Sequence, residues 1–161
     1  MNCPYCGKPA PWVENKAVYG RNYGKSYMCY YCKPCDAYVG CHNNTKVPLG
    51  TMANKELRDW RKKAHRTIDP YWKEGLIERK HVYSRLKRHF GFHVHVGESN
   101  IELCKRIVVE APVILDMSKE EFLAQYPKIV GYELENENSI LITEKYSRLK
   151  VKPLLDKVVS E

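Results

Sequence analysis

Six of the chain's seven cysteines lie before Asn43, and their spacing is that of metal ligands. "CPYCG" sets Cys3 and Cys6 two residues apart, which lets both sulfurs face one ion. A tight turn of this kind directs backbone N–H groups at the thiolates, and Gly7 supplies the left-handed conformation after the second sulfur. "CYYCKPCDAYVGCH", from Cys29 to His42, holds two overlapping candidates for the partner pair, Cys29/Cys32 and Cys32/Cys35. Cys32/Cys35 fits better on two grounds. The residue that follows is Asp36, which tolerates positive φ better than the Lys33 that follows Cys32. Cys29 also continues the alternation of "SYMCYY", where its side chain would pack on one face. The expected ligands are Cys3, Cys6, Cys32 and Cys35. Cys29 and Cys41 are the thiols that would replace one of them in a different shell, and are otherwise small buried packing residues. Two CxxC pairs joined by strand, turn and strand describe a four-thiolate ribbon around one zinc ion. Such a shell is closed, so the ion folds the ribbon rather than doing chemistry. A β unit of about 40 residues is too small to be stable without a staple of this sort.

Other residues carry a different chemistry. "YGRNYGKSY" places Tyr19, Tyr23 and Tyr27 beside Arg21 and Lys25 at the tip of the ribbon hairpin. Cations bind phosphate, and aromatic faces stack on unpaired bases; the alternative is a turn whose tyrosines pack on the ribbon. Lys55, Arg58, Lys62 and Arg66 recur along one side of a helical segment, and Arg79, Lys80, Arg85, Lys87 and Arg88 cluster in the next. Either set is a solvated face or a track for a nucleic-acid backbone. The candidate nucleic-acid-binding residues are therefore Arg21, Tyr23, Lys25, Arg58, Lys62, Arg66, Arg85 and Arg88. The six histidines, His42, His65, His81, His89, His93 and His95, raise a hydrolase reading in which His65 works with Asp69, one turn away. No HExxH, close carboxylate pair or Ser-His-Asp pattern accompanies them, and no catalytic residue is assigned. Cys104 lies near Ile101 and Ile107 at helical spacing, the place of a core residue rather than a nucleophile.

The elements that must position these groups follow from patterning. "PWVENKAVY" and "KSYMCYY" read as strands around the turn "GRNYGK", and "DAYVG" reads as a third. A helix capped by Thr51 or Asn54 carries Leu57, Trp60, Ala64 and Ile68 on one stripe and ends at Asp69-Pro70. "ERKHVYSRLKRHFG" gives a second helix with Val82, Tyr83, Leu86 and Phe90 inward, stopped by Gly91. "FHVHVG" is an extended link, and "SNIELCKRIVVE" a third helix. The texture changes at Pro112. Ser118 and Glu121 form a capping box for a short helix, residues 128–145 read as a β-hairpin, and residues 153–159 as a final short helix. The expected organisation is a zinc ribbon over 1–50, a basic helical segment over 51–111, and an acidic α/β tail over 112–161. The fold class is α+β.

Charge divides the chain in the same way. Of its 161 residues, Met1 to Glu110 hold 20 Lys/Arg against 10 Asp/Glu, and Ala111 to Glu161 hold 7 against 9. The surplus of +8 thus sits in the first part, where it favours a polyanionic partner or keeps the protein soluble. No apolar run reaches the roughly 20 residues of a membrane helix, and no secretory signal is seen at the N-terminus. A cytoplasmic location is expected, with no membrane partner.

"CPYCGKPA", "VYGRNYGK", "CKPCDAYVGCHNNTKVPLGTMANKELRDWRKKAHRTIDPYW" and, less densely, "HVYSRLKRHFG", "HVG" and "CKRI" resemble the phage- and prophage-associated zinc-finger-containing proteins of unknown function. The likeness runs from Cys3 to about Val108 and is densest between Cys32 and Trp72. It implies a zinc ribbon joined to a helical segment in a phage or prophage setting, and supplies no reaction. The expected function is that of a zinc-stabilised nucleic-acid-binding accessory protein (DNA or RNA) without catalysis. The alternatives are a module that docks on a host protein and a His/Asp-dependent nuclease.

Overall fold

A three-stranded antiparallel sheet in the order β1–β2–β3 builds the N-terminal part: β1 is Trp12–Glu14, β2 is Met28–Cys32 and β3 is Ala37–Gly40. The computed structural model describes residues 1–126. The tail calls over 128–145 and 153–159 lie outside the described residues. Within these the fold is α+β, a cysteine-bearing sheet followed by helices.

The register decides which cysteine faces which way. Tyr30 pairs with Val39 and Cys32 with Ala37, while Cys29 pairs with Gly40 and Tyr31 with Tyr38. Successive strand residues alternate between faces. Tyr30, Cys32, Ala37 and Val39 therefore share one face, which packs with Cys3, Ala10 and Met52 into a small core. Cys29, Tyr31 and Tyr38 share the other.

The expected first strand is shorter than its sequence pattern. β1 stops at Glu14, and one helical turn, α1 (Lys16–Tyr19), follows. The cause is Asn15, which is 6% exposed. Its side-chain amide donates to the carbonyls of Tyr23 (2.7 Å) and Ser26 (3.1 Å), and its oxygen accepts from the Tyr23 N–H. Those bonds pinch the connection into a loop and turn the chain away from the strand direction.

Four longer helices follow: α2 (Lys55–Lys73), α3 (Arg79–Phe90), α4 (Ile101–Leu115) and α5 (Lys119–Gln125). Asn54 caps α2 by accepting from the Leu57 N–H at 3.0 Å, Asn100 caps α4 in the same way, and the Ser118/Glu121 capping box opens α5. α2 runs on through Pro70, against expectation, and α4 runs through Pro112, so the expected change of unit at residue 112 falls inside a helix. Each proline removes one intrahelical bond, but the turns beyond are held by burial. Tyr71 and Trp72 pack on the helical core after Pro70, and Ile114 and Leu115 belong to it after Pro112. That core joins Ala64 and Ile68 of α2, Val82, Leu86 and Phe90 of α3, Cys104, Ile107 and Ala111 of α4, and Phe122 of α5. Burying each large aliphatic side chain contributes about 1.5–3 kcal/mol.

Two polar joints fix the sheet against the helices. Arg58 on α2 donates to both the carbonyl and the carboxylate of Asp36, to the carbonyl of Ala53 at 3.0 Å, and lies over the Tyr38 ring at 4.3 Å. Arg61 donates to the carbonyls of Thr51 (2.8 Å) and Ser99 (3.0 Å), while the Thr51 N–H donates to Gly97 at 3.0 Å. Here the chain at Gly50 passes so close to Gly97 that a Cβ would sit 2.3 Å from its carbonyl oxygen.

Candidate metal centre and ribbon surface

The sulfurs of Cys3, Cys6, Cys32 and Cys35 all lie within 4.8 Å of one another. Cys3 and Cys6 come from the first turn of the chain. Cys32 ends β2, and Cys35 closes the 3-10 turn Lys33–Cys35. Both knuckles end in left-handed backbone, Gly7 at φ 71° and Asp36 at φ 44°. The Cys6 and Cys32 sulfurs are 3.7 Å apart. Four sulfurs at about 2.3 Å from a central zinc would be roughly 3.8 Å apart, close to the Cys6–Cys32 separation, so the four thiols are a donor set for one tetrahedral ion. All seven cysteines are free thiols. Cys29 lies three residues before Cys32 in β2, on the opposite face of the sheet, and stays out of the cluster for that reason. The model of the zinc-finger-containing domain family matches residues 1–112. The chain belongs to that family. No curated protein and no solved structure matches it.

In this zinc-finger-containing domain the four thiols form a structural zinc site, closed by its four sulfurs. The electrostatics show why an ion is needed. Burial opposes ionisation of Cys3, but the backbone N–H groups of Tyr5 and Cys6 and the neighbouring thiols outweigh it and bring the Cys3 thiol down to about 7. Cys35 is pushed up to about 12, first by the Cys6 thiol beside it, then by burial and by Cys32 and Cys3. Without a cation the cluster cannot hold four thiolates; a dication removes that conflict. Among the described residues no second group of His, Cys, Asp or Glu gathers closely enough to hold a metal.

Behind the zinc face, the second face of the sheet carries tyrosines. Tyr19 from α1 meets Tyr38 of β3 edge-on at 5.7 Å between ring centres and donates its hydroxyl to that of Tyr38 at 3.2 Å. Tyr23 leans on Tyr19 at 5.6 Å, and Tyr31 meets Tyr38 at 6.4 Å. Tyr19, Tyr23 and Tyr38 border a cleft of about 360 Å³, with Lys25, His42 and Asn43 also on its lining. Cys29 and Cys41, at 2% and 1% exposure, contribute to the same lining. Burial, and then the Cys41 thiol, push Cys29 up to about 11, so it presents a neutral thiol there.

The candidate nucleic-acid residues divide. Arg21, Tyr23 and Lys25 are exposed on the loop that Asn15 holds, and Lys62 and Arg66 are exposed on α2. Lys62 makes only a surface pair with Asp59 at 3.3 Å. Arg58, Arg85 and Arg88 are half-buried and engaged within the molecule. Arg58 has its joint with Asp36 and Ala53. Arg85 donates to the carbonyls of Ile114, Leu115 and Met117 at 2.7–3.2 Å, where the end of α4 leaves carbonyls without helical partners. Arg88 donates to the Tyr126 carbonyl at 3.4 Å and faces the Phe122 ring. An arginine pattern cannot tell these uses apart, because the acceptors of Arg85 and Arg88 are carbonyls 29–38 residues distant and Asp36 lies 22 residues from Arg58.

His65 makes a 3.2 Å contact with Asp69, whose other oxygen accepts from Lys73 at 2.8 Å. His93 and His95 are both exposed, flanking buried Val94. His89 is buried between the Tyr126 hydroxyl (2.8 Å) and Glu110 (2.5 Å), and Arg106 also binds Glu110. The residue that sequence reasoning missed is Tyr38. Its strand was legible, but its place between Tyr19 and Arg58 depends on the pairing of β2 with β3.

Proposed function

We propose that the protein binds nucleic acid, without catalysis, through the tyrosine face of its ribbon and the adjoining exposed row of α2. The observation that carries this reading is the position of Tyr38. It touches Tyr19 on one side and lies under Arg58 on the other, and Arg58 heads the row Arg58, Lys62, Arg66. Residues four apart lie along one side of a helix. The aromatic cluster and the exposed Lys62 and Arg66 are therefore neighbours rather than separate features. Arg21 and Lys25 extend the positive charge at the loop. The zinc site supports the reading by fixing the sheet on whose reverse the tyrosines stand. The phage or prophage setting rests on the resemblance of the motifs.

Fluorescence anisotropy with labelled single- and double-stranded DNA and RNA tests it. Four phosphate contacts, from Arg21, Lys25, Lys62 and Arg66, give a slope of log affinity against log salt of about −3 for a single strand. Replacing all four by alanine should flatten that slope while zinc content stays unchanged. Absence of binding to every probe at low salt overturns the proposal.

A further inference from the structure

We propose that the Tyr19/Tyr23/Tyr38 cleft receives one unstacked base of a single strand, which makes the protein a reader of unpaired rather than duplex nucleic acid. This rests on the nucleic-acid reading above and deepens it. The cleft's volume of about 360 Å³ lies at the small end of ligand pockets and accommodates one planar ring system, and a tyrosine can reach the face of a base only when that base is unstacked from its neighbours. No two of its tyrosines stack face to face: the rings meet at 55° and 83°. Arg58 covers one face of Tyr38, whereas Tyr19 and Tyr23 are 47% and 63% exposed and offer ring faces to a ligand. The lining from Cys29 and Cys41 is buried, as an aromatic ring requires. The polar side chains of Lys25, His42 and Asn43 stand on the same lining, and among the described residues none of them has a side-chain hydrogen bond. They offer donors and acceptors for a base edge or its phosphate. The loop that carries Tyr23 and Lys25 is itself held from beneath by buried Asn15, so the cleft is built into the fold.

The test compares a short thymidine strand with a strand of equal length made of abasic units, both labelled, at low salt. The intact strand should bind about tenfold more tightly or better. Tyr23→Ala should abolish most of that preference, Tyr23→Trp should keep it, and zinc content should be equal in all three proteins. Thymidine duplexed with its complement should bind like the abasic strand. Equal, salt-sensitive binding of intact and abasic strands overturns the cleft while leaving the phosphate-binding reading intact. No binding of either strand at low salt overturns both. A preference that persists in Tyr23→Ala overturns the assignment to this cleft.

Discussion

On the zinc face of the ribbon the buried set is Cys3, Ala10, Cys32, Ala37, Val39 and Met52, while the helical unit buries Ile68, Leu86, Ile107, Ile114, Leu115 and Phe122 among others. The first set is small in side-chain volume and includes two zinc-site thiols. The second is made of large aliphatic and aromatic groups on four helices. Apolar burial scales with the area removed from water, so the helical unit can hold itself together and the ribbon cannot. The metal centre makes up that difference, and the contrast predicts that the two regions fail independently.

The largest effect falls on the ribbon. Cys6→Ser, or a strong chelator, should remove zinc and unfold the sheet outright, since structural zinc supplies on the order of 10 kcal/mol to units of this kind. Far-ultraviolet circular dichroism should keep its helical signal, and near-ultraviolet tyrosine signals should collapse. Loss of the helices as well would break the contrast. Next, Ile107→Ala, fully buried in the helical core, should destabilise that unit by about 2–5 kcal/mol in denaturant melts, with zinc per chain unchanged.

Glu110→Gln sharpens the comparison through pH. Burial raises the Glu110 carboxyl, but His89 and Arg106 outweigh it and hold the group below the ordinary carboxylate range. A depressed pKa contributes stability that is complete above the ordinary value and is lost as pH falls through the folded one. The helical unit should therefore lose stability in that acid window. Glu110→Gln should cost about 3 kcal/mol at neutral pH, by weakening the charge-assisted hydrogen bonds to Glu110, and should flatten the acid dependence of the melt. The smallest effect concerns the joint. Gly50→Ala forces a Cβ against the Gly97 carbonyl and should cost about 2 kcal/mol. Hydrogen exchange should rise at Thr51, whose N–H binds Gly97, before it rises in either core.

What the chain discloses about itself follows the range of the forces involved. The choice of Cys32 and Cys35 was legible because it turns on local backbone: Asp36 accepts positive φ, and Cys29 sits at the wrong parity of a strand. Asn54, Asn100 and Ser118 announced or permitted helix starts because a cap acts within three residues. Pro70 and Pro112 misled because tertiary burial of Tyr71, Trp72, Ile114 and Leu115 overrides a local break. The contacts of Arg85 and Arg88 were illegible for a related reason: their acceptors are carbonyls 29–38 residues away that only the fold brings close, as it does the Asp36 partner of Arg58. Asn15 lay inside the segment read as the first strand, and nothing local to it indicated that its side chain would reach Tyr23 and Ser26.

X-ray absorption at the zinc edge of the purified full chain tests the metal centre most directly. One zinc per chain with four sulfurs at about 2.3 Å and no nitrogen is the predicted result, lost in Cys35→Ser and retained in Cys41→Ser. A shell of mixed sulfur and nitrogen, or one that disappears in Cys41→Ser, would place His42 or Cys41 at the ion and contradict the four-thiol ribbon.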